Sequence, residues 1–250
     1  MEQLIDLDAE LVSLRDLLFA LSDADWTRPT RCDGWDVADV VLHLAQTNEM
    51  AAAAAAGRLD EYYASLPTPP RPAESVDDSA AMLVEAERGA TPDAVVARWG
   101  EAAGAMTSAL AAGDPSDRVM WVAGTLARRT LATTRQSETW IHHGDIAEAV
   151  GAPSRDEPRL VNVARLAWRT IPYAFTLAGR PDPGPVAMYL AGVAGESWDF
   201  VPEAPAVVTV RGSGAHLCAV AARRLDPALA DLEVTGPNGS AVLELIRTYA

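Results

Sequence analysis

Apolar residues in the first 150 positions recur every three or four residues, which is the spacing of one face of an α-helix. This spacing predicts long helices over residues 3–22, 37–56, 91–110 and 126–150, and a shorter one over 76–88. In the first stretch, residues 3–22, the apolar positions are Leu4, Ile5, Leu7, Leu11, Leu14, Leu17, Leu18 and Leu21. This half of the chain is therefore predicted to contain four long helices.

Two of the predicted helices begin at residues that favour a helix start. Asp36 directly precedes the second helix, and aspartate is a preferred N-cap residue. Thr91 precedes Pro92, and a capping residue followed by proline is typical of a first helical turn. Four prolines between residues 67 and 72 indicate a connection, and residues 119–122 form a short apolar segment.

The pattern changes after Gly151. One more helix is predicted over residues 156–178, where Pro172 should kink or end it. Short strand-like runs then alternate with Gly and Pro, and two further helices are expected at 214–225 and 240–249. The predicted strands cover residues 186–190, 197–201, 206–210 and 231–235. The fold class is therefore α+β, with a small antiparallel sheet covered by helices on one side.

Charge and composition exclude several classes of function. The net charge of −15 argues against sequence-independent binding to nucleic acid or to an anionic membrane. The chain has no lysine, which excludes Schiff-base lysine catalysis and a P-loop lysine. Cys32 and Cys218 are too few for a disulfide framework. We expect no signal peptide and no membrane span, so the cytoplasm is the default location, and both a monomer and a homodimer remain open.

The strongest candidate site is in the fourth predicted helix. Glu138 and His142 are four residues apart and therefore lie on one face, where a carboxylate and an imidazole can bind one divalent metal. A third ligand must come from elsewhere, and His43 on the apolar side of the second helix is the best donor. Asp145 is a candidate hydrogen-bond partner for a ligand imidazole. Spacing alone leaves open an ordinary surface pair of Glu138 and His142, a core role for His43 and a surface carboxylate at Asp145.

Three motifs resemble a known family. The first covers residues 21–44 and includes His43; the second consists of Arg135, Glu138, His142 and Asp145, followed by residues 149–151. The third is the tail, with residues 208–212, the pair Arg223-Arg224 and residues 232–236. Together they resemble the DinB-like metal-binding superfamily, and more closely the actinobacterial mycothiol-dependent maleylpyruvate isomerase family.

This resemblance implies a DinB-like four-helix bundle over residues 1–152 and a smaller α/β domain, similar to sterol-carrier modules, over 153–250. It implies Zn²⁺, or another divalent metal, bound by His43, Glu138 and His142. It also implies mycothiol as a cosubstrate whose thiolate acts as the nucleophile. Such a thiolate can isomerise an activated alkene by addition and elimination, or can displace a leaving group in S-transfer.

The resemblance also suggests residues that meet the substrate. Arg224 is expected to be catalytic, with Arg223 beside it, because a guanidinium suits a carboxylate-bearing substrate. Arg135 and Thr47 are expected to bind substrate or line the cavity. The alternatives are a solvated helix end for the arginine pair and a surface ion pair for Arg135.

Two other functions remain open at this point. In a metal-dependent hydrolase, water rather than a thiol would occupy the open coordination position. A non-enzymatic protein would use the same fold to bind a small apolar ligand. The expected partners are a small-molecule substrate and a thiol, and the identity of the electrophile is not encoded in any motif found here.

Overall fold

The computed structural model describes residues 2–122, 124–153 and 156–248 of the chain. It divides into two compact units, one covering residues 1–154 and the other 155–249. The first unit is mainly helical and the second contains a small sheet with helices, as the α+β prediction requires. Within the described residues, no helix is long and apolar enough to cross a membrane.

Four long helices dominate the first unit: α1 (Glu2–Leu18), α2 (Val37–Ala55), α5 (Pro92–Ala111) and α6 (Arg128–Val150). Two shorter helices, α3 (Leu59–Ser65) and α4 (Val76–Glu87), lie between α2 and α5 in the chain. Helix α2 packs mainly against α5, and α1 packs against α6, while α2 also contacts α6. Their inward faces carry fully buried residues such as Leu14, Leu44, Met106, Leu110 and Leu131, which form one continuous apolar core.

The predicted helix starts at residues 36 and 91 are confirmed. The side chain of Asp36 accepts a hydrogen bond from the backbone N–H of Asp39, and the Asp39 side chain accepts one from the N–H of Asp36. This reciprocal arrangement satisfies two amide donors that a helix N-terminus leaves without partners. Thr91 caps α5 by accepting a hydrogen bond from the N–H of Ala94, with Pro92 in the first turn. The cap at Asp36 fixes where α2 begins and hence the direction in which His43 points.

A short hairpin between α5 and α6 was not predicted. Strands β1 (Arg118–Trp121) and β2 (Gly124–Ala127) pair in antiparallel fashion, and α6 begins directly after them at Arg128. The sequence suggested only an apolar segment at 119–122, and residues 126 and 127 were wrongly assigned to the helix. Four residues per strand are too few for alternation to be distinguished from a helix start.

The second unit contains a four-stranded sheet in the order β4-β3-β5-β6. A 3₁₀ turn at Pro158–Leu160 precedes its first helix. The elements are α7 (Val161–Arg169), α8 (Ile171–Leu177), β3 (Val186–Ala191), β4 (Ser197–Phe200), β5 (Val208–Ser213), α9 (Gly214–Ala221), β6 (Leu232–Thr235) and α10 (Gly239–Leu245).

Four expectations for this unit are corrected. The sheet is mixed rather than antiparallel, because β5 lies parallel to β3 while β4 occupies the outer edge. The helix predicted over 156–178 is divided at Thr170, two residues before Pro172. Helix α9 ends at Ala221, so Arg223 and Arg224 follow the helix instead of lying on it. Helix α10 ends before the predicted limit of 249, a residue outside the described part of the chain.

Candidate metal centre

The packing of α2 against α6 brings three predicted ligands together. The Oε2 atom of Glu138 lies 3.9 Å from Nε2 of His43 and 3.7 Å from Nε2 of His142. One ligand atom from each of the three residues lies within 4.8 Å of the other two. Glu138 and His142 share one face of α6, as their spacing predicted, and His43 approaches from α2. The two imidazoles therefore face the same carboxylate.

These side chains are largely withdrawn from solvent. The side chains of His43, Glu138 and His142 retain 11%, 17% and 9% of their exposure. An ordinary surface pair of Glu138 and His142 is thereby contradicted. The separations of 3.7 and 3.9 Å are longer than a normal N–H···O hydrogen bond. The three groups thus converge on a common point without closing directly on one another.

The convergence perturbs all three protonation equilibria. Burial opposes the charge on Glu138, but the imidazoles of His142 and His43 outweigh it, so the pKa of this carboxyl lies well below its usual value. Burial also opposes the charge on His142, yet its contacts with Asp145, Cys32 and Glu138 raise its pKa well above 6.5. Burial lowers the pKa of His43, and the contact with Glu138 offsets this only in part. Without metal, these shifts in pKa favour the ionised form of Glu138 and the imidazolium form of His142.

The donor set fits a borderline divalent cation. Two imidazole nitrogens and one carboxylate oxygen are ligands that Zn²⁺ accepts, and three protein ligands leave a coordination position open. Because Glu138 is already ionised and His43 is kept neutral by burial, two of the three ligands are in the protonation state that metal binding requires.

The other ring nitrogen of His142 faces a separate pair of side chains. Its Nδ1 lies 3.0 Å from Oδ2 of Asp145, whose side chain is 1% exposed. The contact is the one that the sequence suggested for Asp145, and its role in orienting a ligand imidazole stays a prediction. The thiol of Cys32 donates to the same Oδ2 at 3.3 Å and lies 3.9 Å from Nδ1. Cys32, His142 and Asp145 also place possible ligand atoms within 4.8 Å of one another.

Three contacts at the site were not foreseen from the sequence. The ring of Trp35, just before the cap of α2, lies 5.0 Å from the ring of His43. The rings of His43 and His142 meet edge to face at 5.1 Å. The proximity of Cys32 to Asp145 is likewise unforeseen, since the two are separated by more than one hundred residues of chain. The pairs His43–His142 and Cys32–Asp145 have no spacing signal, because each joins elements that are far apart in the chain.

Arg135 is buried and held by α2. Its exposure is 1%, so the alternative of a surface ion pair is wrong. The guanidinium donates to Oγ1 of Thr47 at 2.8 Å and to Oδ1 of Asn48 at 3.1 Å. The Thr47 hydroxyl in turn donates to the carbonyl of His43 at 2.9 Å. Arg135 and Thr47 therefore brace the backbone that carries His43, and their suggested contact with substrate stays a prediction.

Arg223 and Arg224 lie in the second unit. Arg223 adopts a left-handed backbone conformation with φ of 60°, and its guanidinium donates to the carbonyl of Glu244 at 2.7 Å. Arg224 donates to the carbonyl of Ala222 at 3.0 Å. A non-glycine residue in this conformation is strained by about 1 kcal/mol or more. The roles suggested for the pair in catalysis and substrate binding stay predictions.

A family profile described as the mycothiol maleylpyruvate isomerase N-terminal domain matches residues 7–147 of this chain. The chain belongs to that family. The match extends from α1 to the last turns of α6, and so contains all three residues of the candidate metal triad.

Comparison with solved structures shows that the fold extends over both units. The crystal structure of the mycothiol-dependent maleylpyruvate isomerase superposes with a TM-score of 0.63 at 19% identity, over 95% of each chain. A histidine-to-alanine mutant of that enzyme gives a TM-score of 0.60 at 19% identity, over 90% of this chain and 89% of the other.

Curated relatives extend the likeness in sequence. An uncharacterized protein of Mycobacterium tuberculosis strain H37Rv is 28% identical over 246 residues, covering 98% of this chain and 94% of the relative. Its counterpart in strain CDC 1551 matches equally well.

Proposed function

We propose that this protein is an enzyme that binds a divalent metal, Zn²⁺ in the first instance, and uses mycothiol as the nucleophile. Its reaction is isomerisation or S-transfer on a small electrophilic substrate that carries a carboxylate. The observation that carries this proposal is the convergence of His43, Glu138 and His142 on one point, within the domain that the family profile matches.

The residues of the chain have distinct tasks in this proposal. His43, Glu138 and His142 hold the cation, and Asp145 keeps the imidazole of His142 oriented through Nδ1. A cation bound with an open position lowers the pKa of a thiol placed beside it, so that a nucleophilic thiolate is available at neutral pH. Because Glu138 is anionic, the net charge of the cation with its three protein ligands would be lower than with three neutral imidazoles.

The nucleophilic thiol must come from outside the protein. Cys32 lies beside Nδ1 of His142, whereas Glu138 and His43 lie on the side of Nε2. Cys218 is fully buried in the second unit, and burial raises the pKa of its thiol well above its usual value. Neither cysteine is placed to act as the nucleophile at the triad, and this supports a small thiol cosubstrate.

The chemistry follows from what a thiolate does to an activated alkene. Addition forms one carbon–sulfur bond and converts the double bond into a single bond about which the chain can rotate. Elimination then restores the double bond in the other geometry and releases the thiolate. With a leaving group in place of the alkene, the same attack gives S-transfer. Arg223 and Arg224 are our candidates for binding the substrate carboxylate.

Three measurements test this proposal. Elemental analysis should find close to one equivalent of zinc in the wild-type protein and almost none in His43→Ala, whereas His216→Ala in the second unit should retain it. Zinc-loaded protein should then bind mycothiol by calorimetry and isomerise maleylpyruvate, the first substrate to try, only when mycothiol is present.

Three outcomes would contradict the proposal. A wild-type protein without metal would remove its basis. Loaded protein that does not bind mycothiol at millimolar concentration would favour a metal-bound water, and hence a hydrolase. Equal metal content in His43→Ala and the wild type would place the ion elsewhere.

A further inference from the structure

Cys32 makes a contact that the proposed reaction does not use. Its thiol donates to Oδ2 of Asp145, the same oxygen that lies 3.0 Å from Nδ1 of His142. The Asp145 side chain is almost completely buried and Cys32 is half-buried. A buried carboxylate is costly unless donors surround it, and here the thiol and the imidazole converge on one oxygen.

The loop that carries Cys32 is fixed to the start of α2. The N–H of Cys32 donates to Oγ1 of Thr30, and the hydroxyl of Thr30 donates to the carbonyl of Trp35. The N–H of Trp35 donates back to the carbonyl of Cys32 at 3.0 Å. Asp36 then forms the reciprocal cap of α2, the helix that carries His43. Cys32 therefore lies in the loop that leads into α2, the helix of His43. Its thiol contacts α6, the helix of Glu138 and His142.

The shared oxygen gives the thiol an influence on His142. Asp145 fixes the imidazole only while its own carboxylate is held in one orientation, because a rotation about its terminal bond would move Oδ2 away from Nδ1. The thiol lies 3.3 Å from Oδ2 and 3.9 Å from Nδ1, so it closes a triangle with both atoms. A side chain of similar size that lacks a donor would fill the space but would make no hydrogen bond to Oδ2 of Asp145.

We propose that Cys32 is a positioning residue of the metal centre, whose thiol holds Asp145 in the orientation that keeps Nε2 of His142 directed at the cation. This inference rests on the proposed function for the existence of the cation. It assigns no role to the thiol in covalent chemistry, and it differs from a second metal position at Cys32, His142 and Asp145, in which the sulfur would itself be a ligand.

The test uses cobalt(II) as the probe, in the full-length protein and without any added thiol. Affinity is measured by competition with a chelator, and the visible absorption spectrum reports the coordination geometry. Cys32→Ala and Cys32→Val both remove the donor, the first leaving space and the second filling it. Cys32→Ser replaces the thiol by a hydroxyl, which is also a hydrogen-bond donor.

We expect Cys32→Ala and Cys32→Val to bind cobalt(II) roughly three- to tenfold more weakly, less than the loss typical of a direct partner of a ligand histidine, because a thiol is a weak donor. Their cobalt spectra should shift, and Cys32→Ser should restore both affinity and spectrum to near wild type. The two donor-free variants keep the test valid if one of them fails to fold.

A matched control separates positioning from loop stability. Thr30→Val removes the hydroxyl that ties the same loop together but leaves the thiol in place. It should lower the melting temperature without the loss of affinity or the spectral shift.

Three results would overturn the inference. Wild-type affinity and spectrum in both donor-free variants would show that the thiol has no effect. Equal losses in Thr30→Val would assign the effect to the loop. A sulfur-to-cobalt charge-transfer band in the wild type that Cys32→Ser abolishes would make Cys32 a ligand. In each case the wild-type protein still binds metal, so the proposed function stands; a wild-type protein that binds no cobalt(II) or zinc would overturn both.

Discussion

Glu138→Gln probes the metal centre with the smallest chemical change. The carboxylate lies between two imidazole nitrogens at 3.7 and 3.9 Å and is the only anionic member of the proposed triad. Glutamine has nearly the same shape, so the packing of α6 against α2 should survive. The neutral amide, however, is a far poorer ligand for a divalent cation than an ionised carboxylate. The variant should therefore fold but lose most of its affinity for zinc.

The size of the effect can be estimated from ligand loss. Removing a partner of a ligand histidine typically weakens metal affinity by about 10–100-fold, and loss of a ligand itself should reach at least about 100-fold. At a free zinc concentration about 1,000 times the wild-type Kd, binding stabilises the folded protein by about 4.1 kcal/mol. A 100-fold weaker variant would retain about 1.4 kcal/mol. For a protein of this size these values correspond to rises in Tm of roughly 8–16 °C and 3–6 °C.

The assay compares melting with and without zinc for each protein, so that any effect of the substitution on the metal-free fold cancels. Glu148→Gln is the matched control, because Glu148 is an exposed residue of the same helix whose ion pair with Arg31 spans 3.5 Å. Exposed pairs contribute about 0–1 kcal/mol, so this variant should show the full zinc-induced rise. A full rise in Glu138→Gln, or a reduced rise in Glu148→Gln, would refute the proposed coordination.

Four further predictions follow from the surroundings of the triad. Zinc affinity should fall as pH drops through the raised pKa of His142, because Nε2 must lose its proton before it can bind the metal. Calorimetry in buffers of different ionisation enthalpy should detect about one proton released on zinc binding. In the metal-free protein the sign is reversed: the stabilisation from His142 is complete below about pH 6.5 and is lost as pH rises through its raised pKa, which melting curves across pH can follow. Asp145→Asn should weaken zinc binding by about 10–100-fold in chelator competition, with unchanged affinity as the contrary result. Arg135→Met should lower the free energy of unfolding, measured in urea, by about 1–3 kcal/mol, because the buried Oδ1 of Asn48 loses its donor. The double variant with Asn48→Leu should recover part of that loss. An unchanged urea midpoint in the single variant would contradict this account.

The convergence of the three candidate ligands was predictable because most of its determinants are local. Glu138 and His142 are one helical turn apart, and this spacing holds wherever the helix packs. His43 stood out as a histidine on an apolar face, and the cap at Asp36 fixed the start of its helix. Bringing α2 next to α6 was the one non-local step, and it came from the resemblance to a family rather than from periodicity.

The remaining features depend on tertiary contacts that leave no periodic signal. Cys32 approaches Asp145 only because the loop at residues 29–36 folds back through Thr30 and Trp35. The parallel pairing of β3 with β5 was missed because β4 follows β3 as a hairpin partner, which by itself favours an antiparallel sheet. The hairpin at 118–127 is too short to show alternation.

The two nitrogens of His142 explain why the proposed metal site depends on residues other than its three ligands. Nε2 lies on the side of Glu138 and His43, while Nδ1 lies against Asp145 and Cys32. A proton on Nδ1 that is held by a buried carboxylate leaves Nε2 as the only nitrogen able to coordinate a metal, and makes it more basic. Substitutions on the Nδ1 side should therefore weaken binding by about 10–100-fold, whereas a substitution on the Nε2 side that removes a ligand should weaken it by at least about 100-fold. Comparing Asp145→Asn with Glu138→Gln on the same zinc titration separates these two effects within one imidazole.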